Sequence, residues 1–101
     1  MLAHQKQKNI RYKDWKSAFT GLGARTICLT SDGAYLFANA NNESKVSIVR
    51  TSDMKTIGSI QADPYPVGMA IDQENKYLIV TAQGKHEIGG NSVMIYQITR
   101  K

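Results

Sequence analysis

"LTSDGAYLFANA", residues 29–40, is echoed by "IDQENKYLIVTA", residues 71–82. Ile27-Cys28-Leu29 lies over Met69-Ala70-Ile71, and Tyr35-Leu36-Phe37-Ala38 over Tyr77-Leu78-Ile79-Val80, both at an offset of 42. Further on, Val46-Ser47-Ile48-Val49 matches Val93-Met94-Ile95-Tyr96 at an offset of 47, so the second copy holds five extra residues. The apolar runs are short, rich in Val, Ile, Tyr and Phe, and stop at Gly, Asn, Asp or Pro; helical spacing is missing. A period in the low forties made of such runs predicts an all-β chain of four-stranded antiparallel β-propeller blades, about two of them.

The turns support the same alignment. "TSDGA" (30–34) and "DQENK" (72–76) separate the first and second strands of each copy and set Gly33 opposite Asn75. Gly and Asn tolerate the left-handed backbone that a tight hairpin needs. Asp32-Gly33 therefore reads as a turn rather than as part of an acidic catalytic pair. "TSDM" (51–54) sets a third strand apart from a fourth, "KTIGSI" (55–60), and "ADPYP" (62–66) carries the chain onward, its prolines holding it out of a ladder. Counting back by 42 from Ile57 and Ile60 lands on Trp15 and Ala18. "DWKSAF" (14–19) thus reads as the fourth strand of a preceding blade, within a segment 14–23 that includes its exit loop. Residues 24–61 then form a complete blade, and residues 62–101 a last blade lacking its own fourth strand.

The stretches "SDGAYLFANANNESKVSIVRTSDMKTIGSI" and "YPVGMAIDQENKYLIVTAQG...GGNSVMIY" resemble YVTN-type β-propeller repeats, over about residues 14 to 98. Such repeats occur in bacterial surface-layer proteins, lactonase-like propellers and amine dehydrogenase β-chains. "YLFANA" and "YLIVTA" depart from the usual Tyr-Val-Thr-Asn run, and "DQENK" lacks the turn glycine. The resemblance implies a non-catalytic scaffold that binds a protein partner or a small polar ligand. A fragment of a lactonase-like enzyme, with its catalytic groups on other blades, is the alternative. The resemblance also implies a periplasmic or extracellular setting, although "MLAHQKQKNIRYKDWK" shows no signal-peptide core.

A propeller closes with about four to eight blades. Two blades leave apolar sides of "YLFANA" and "YLIVTA" to be covered by something else. One expectation is that the chain is the carboxy-terminal piece of a longer propeller, with Met1 an internal or miscalled start. The other is self-assembly, "DWKSAF" of one copy filling the missing strand of the next.

In a blade whose first strand lies nearest the axis, the loops joining fourth to first and second to third strands share one face. "TGLGAR" (20–25), "NANNESK" (39–45), "ADPYPV" (62–67) and "QGKHEIGGNS" (83–92) fall there, the last containing the insertion. This rim supplies the ligand-binding candidates Arg25, Asn39, Asn41, Asn42, Tyr65, Lys85, His86 and Asn91. Arg25 opens the innermost strand, where its guanidinium meets either a ligand carboxylate or phosphate, or an acid of a neighbouring blade. The three asparagines offer amides to a polar ligand or to their own loop backbone. His86, beside Lys85 and Glu87, is the one acid–base candidate of the body, or simply a solvated loop histidine. No catalytic residue is assigned.

Composition narrows the remaining classes. Hydrophobic residues make up 42% and charged residues 21%, and no apolar run approaches a membrane span. Of the net charge of +5, most lies in the basic segment 1–13 and the residues just after it. That segment reads as a solvated leader; single-stranded nucleic-acid binding through it, with Tyr12 and Trp15 as stacking groups, is a minor alternative. His4, His86 and Cys28 are the only soft ligands, so no metal site and no cofactor is expected.

Overall fold

The computed structural model describes residues 16–84 and 92–99. The basic segment 1–13, Trp15, and the candidates Lys85, His86 and Asn91 lie outside the described residues. Among the described residues there are seven strands: β1 (Ala24–Leu29), β2 (Tyr35–Ala40), β3 (Lys45–Arg50), β4 (Lys55–Gln61), β5 (Pro66–Ile71), β6 (Tyr77–Ala82) and β7 (Ser92–Gln97). A single 3-10 turn, Asn41–Glu43, is the only helical element among the described residues. The strands form a four-stranded sheet in the order β1-β2-β3-β4 and a three-stranded sheet in the order β5-β6-β7. Every ladder is antiparallel, and within each sheet each strand pairs with the next in sequence.

The two hairpin turns solve one geometric problem with different side chains. Gly33 (φ 75°) and Asn75 (φ 60°) both take the left-handed backbone. In the first turn Gly33 N donates to Thr30 O at 2.8 Å, and in the second Asn75 N donates to Asp72 O at 2.9 Å. Asp32 Oδ1 steadies the first by accepting from Thr30 Oγ1 and Ala34 N; Asp72 Oδ1 steadies the second by accepting from Lys76 N and Tyr77 N. The turns also meet each other. Asn75 Oδ1 accepts from Ser31 N at 3.0 Å while its Nδ2 donates to Ser31 Oγ at 2.6 Å.

The core lies between the sheets. Phe37 and Val46 from the first sheet and Ala62 from the loop after β4 are buried with Leu78 and Val80 from the second sheet, and Cys28, Ile48, Ile60, Met69, Ile71, Met94, Tyr96 and Ile98 pack around them. The parity of these positions identifies the faces. At the offset of 42, Leu78 and Val80 correspond to Leu36 and Ala38, not to Phe37. Successive strand residues point to opposite sides, so the second sheet presents to the first the face opposite to the one it receives. The first sheet's other face carries Ala38 and Ala40, both buried, together with Ile27 and Leu29, which are exposed. The second sheet's other face carries exposed Tyr77, Val93 and Ile95.

Residues 16–20 form no ladder among the described residues. They lie instead on the first sheet: Ser47 Oγ donates to Thr20 O at 2.6 Å and Thr56 Oγ1 donates to Phe19 O at 2.8 Å. Gly21 follows so closely over β2 that a Cβ there would sit 2.8 Å from Ala40 Cβ.

Candidate functional site

The rim loops converge through a set of main-chain bonds that is made twice. Asn41 N donates to Gly23 O at 2.9 Å and Asn42 N to Leu22 O at 3.2 Å; Gln83 N donates to Tyr65 O at 3.0 Å and Gly84 N to Pro64 O at 2.9 Å. Every residue of the second pair of bonds stands 42 positions after its equivalent. Gly23 (φ 79°) is matched by Tyr65 (φ 59°), a non-glycine held left-handed by the same joint. A side-chain bond then ties the two joints together, Asn41 Nδ2 donating to Pro66 O at 3.0 Å. A further tie closes the first joint: Leu22 N donates to Glu43 Oε2 at 3.0 Å, and Glu43 Oε1 lies 3.1 Å from Lys45 Nζ. The Leu22 N–H, with Lys45 behind it, holds the Glu43 carboxyl below its ordinary pKa.

Arg25 stands on a bulge. The β1–β2 register shifts between Ala24 and Ile27, leaving Arg25 and Thr26 without regular ladder partners. Asn39 supplies what the ladder omits, its Oδ1 accepting from Arg25 N at 3.3 Å and Thr26 N at 3.1 Å. Thr26 Oγ1 donates across to Val67 O at 2.7 Å, joining β1 of the first sheet to β5 of the second. The second sheet shifts register at the equivalent place, between Pro66 and Gly68. The Arg25 side chain is exposed and has no acidic partner among the described residues.

The asparagines divide in role. Asn39 is fully buried and Asn41 is 7% exposed, each with an amide atom bound to main chain. Asn39 Nδ2 is buried with no acceptor among the described residues. Asn42 is exposed, and Tyr65 is partly exposed. The rim thus brings Arg25, Asn42 and Tyr65 to the surface, with Asn39 and Asn41 beneath them. Sequence reading passed over Thr26 and Glu43, which tie sheet to sheet and loop to loop. Their partners stand 41 and 21 residues away, and no local pattern signals such bonds.

Among the described residues, no three His, Cys, Asp or Glu side chains gather as metal ligands would. No helix there is long and apolar enough to cross a membrane. Cys28 is half-buried in β1 beside the core, and burial pushes its thiol pKa up, away from the reactive range.

No protein-family model matches the chain, and no curated protein does. Among solved structures it is similar to hydrazine synthase of Kuenenia stuttgartiensis, a β-propeller-containing protein, at 28% identity and a TM-score of 0.56. The match covers 57% of this chain and 16% of that one. The fold is all-β, two antiparallel sheets arranged as propeller blades.

Proposed function

We propose that the chain is part of a propeller scaffold that binds a small anionic or polar ligand at the rim, and that it is not itself catalytic. One observation carries this reading. Arg25 is an exposed cationic side chain on β1, held on a bulge by Asn39 and left without an acid among the described residues. A guanidinium there suits a carboxylate or phosphate, which it can take with two parallel hydrogen bonds. Asn42 and Tyr65 supply polar groups on either side, and the buried amide of Asn39 is a donor that a bound water or ligand oxygen would satisfy. Lys85, His86 and Asn91 belong to the proposal as members of the fourth rim loop. The YVTN-type resemblance, with its bacterial and extracytoplasmic associations, supports a binding scaffold.

Titration of the chain with inorganic phosphate and with citrate, followed by backbone amide shifts, tests the reading. Shifts are expected to centre on residues 22–26 and 39–42, and Arg25→Ala is expected to weaken binding by roughly tenfold or more. Equal affinity in Arg25→Ala, or no response to either anion at millimolar concentration, would exclude the site. A second reading, in which the chain belongs to a propeller-bearing enzyme, draws support from the name of the solved structure it resembles.

A further inference from the structure

Three features of the molecule are incomplete, and they fit one another. The first is a pair of outer apolar faces. Ile27 and Leu29 are 64% and 52% exposed on the first sheet, and Val93 and Ile95 are 64% and 65% exposed on the second. The second is an edge: β7 is paired on one side only, by β6, among the described residues. The third is a cleft of about 350 Å³ between the sheets, lined by Ile48, Ile57 and Ile60 on one side and Leu78, Tyr96 and Ile98 on the other. It lies where β4 of the first sheet has no strand opposite it in the second.

The internal packing shows what each feature would accept. The face of the first sheet that carries Phe37 already packs on the face of the second that carries Leu78 and Val80. By strand parity, the exposed Tyr77, Val93 and Ile95 occupy the same face as Phe37, and the exposed Ile27 and Leu29 the same face as Leu78. The two outer faces are therefore the two halves of a contact the molecule already makes once. Residues 16–20 repeat this logic. The carbonyls of Phe19 and Thr20 rest on Thr56 and Ser47 of the first sheet. On the second sheet Gln61 O, the equivalent of Phe19 O, accepts from Tyr96 Oη at 2.8 Å, and Asp63 N, the equivalent of Gly21 N, donates to Met94 Sδ at 3.2 Å. Residues 16–20 thus lie on the first sheet as the end of β4 and its exit lie on the second. They follow the course of a fourth strand, and no fourth strand lies beside β7 among the described residues.

We infer that this chain associates head to tail with further copies of itself. The outer face of β5–β7 seats on the outer face of β1–β4 of the next copy, and residues 16–19 of that next copy pair with β7. The strand covers the open side of the cleft and removes the free edge. The internal register fixes the partners: Val46 pairs with Ile60, so the offsets of 47 and 42 set Val93 of one copy opposite Ala18 of the next. A ring closes at about four to eight blades, which is about two to four copies. The inference goes beyond the ligand reading and stands whether or not the rim binds an anion.

Light-scattering mass of the 101-residue chain, measured across micromolar concentrations, tests it. The expected mass is that of about two to four copies, and Ile95→Lys is expected to reduce it to that of one. A variant that fails to fold is separated by a second measurement. Chains carrying Ala18→Cys are mixed with chains carrying Val93→Cys, both in a Cys28→Ala background, and oxidised. A disulfide joining the two kinds of chain supports the pairing. A folded β-rich monomer, or an assembly in which that mixed disulfide does not form, overturns it.

Discussion

Gly33 and Gly21 both have a positive φ, at 75° and 116°, but their surroundings differ. A Cβ on Gly33 would meet nothing within 4 Å, so only the backbone resists a side chain there. Gly33→Ala is expected to lower stability by about 1 kcal/mol, the ordinary cost of a left-handed alanine. A Cβ on Gly21 would press on Ala40 and on the Lys45 and Glu43 side chains, at a φ that L-residues rarely adopt. Gly21→Ala is expected to cost about 3–5 kcal/mol, strain and crowding together. Urea unfolding midpoints of the two variants check the difference, and equal midpoints would mean that residues 20–22 do not rest on β2. The left-handed turn at Gly33 and Asn75 was legible in the sequence because Gly and Asn advertise it. The same backbone at Tyr65 was not, since nothing in a tyrosine signals it; the main-chain bond from Gln83 to Tyr65 O imposes it.

The second hairpin depends on one carboxylate. The N–H groups of Tyr77 and Lys76 donate to Asp72 and hold its pKa below the ordinary 3.8. A carboxyl lowered in the folded state stabilises the fold fully above its unfolded pKa, and this contribution is lost as pH falls through the lower folded value. Stability is therefore expected to decline as pH drops below about 3.8. In Asp72→Asn, whose amide oxygen can still accept but does not titrate, the decline is expected to be shallower. Urea midpoints from pH 7 to pH 2 measure both, and parallel curves would remove Asp72 from the account. Strand positions and their order were readable because alternation and turn residues mark each element. The bulges in β1 and β5 were not. They arise where β1 and the 3-10 turn after β2 are held to the second sheet through Thr26 and Asn41, and those bonds span 41 and 25 residues.

The two sheets share one core, and this binds their stabilities together. Leu78 is fully buried among side chains from both repeats. Leu78→Ala is expected to cost about 2–5 kcal/mol, transfer and cavity contributions combined. The loss should reach both sheets, so amide exchange in β2 and in β6 should accelerate by the same factor. Faster exchange in β6 alone would show the sheets opening separately. The existence of two sheets was written in the period of the sequence, but not the side on which each packs. Alternation divides a strand into two faces without saying which face meets a neighbour, and here both faces of each sheet are apolar. The candidate site was legible to a similar depth. Loop positions followed from the strand order, whereas the burial of Asn39 and Asn41 depended on a sheet-to-sheet joint that only the fold displays.

Within each repeat the loops are fastened by peptide groups alone: Asn41 to Gly23 and Asn42 to Leu22 in the first, Gln83 to Tyr65 and Gly84 to Pro64 in the second. A fastening that asks for no particular side chain lets the residues around it drift over generations while the geometry persists. Copying a unit in tandem carries this internal fastening along, whereas the ties between sheets, Thr26 to Val67 and Asn41 to Pro66, depend on side chains that each copy must keep.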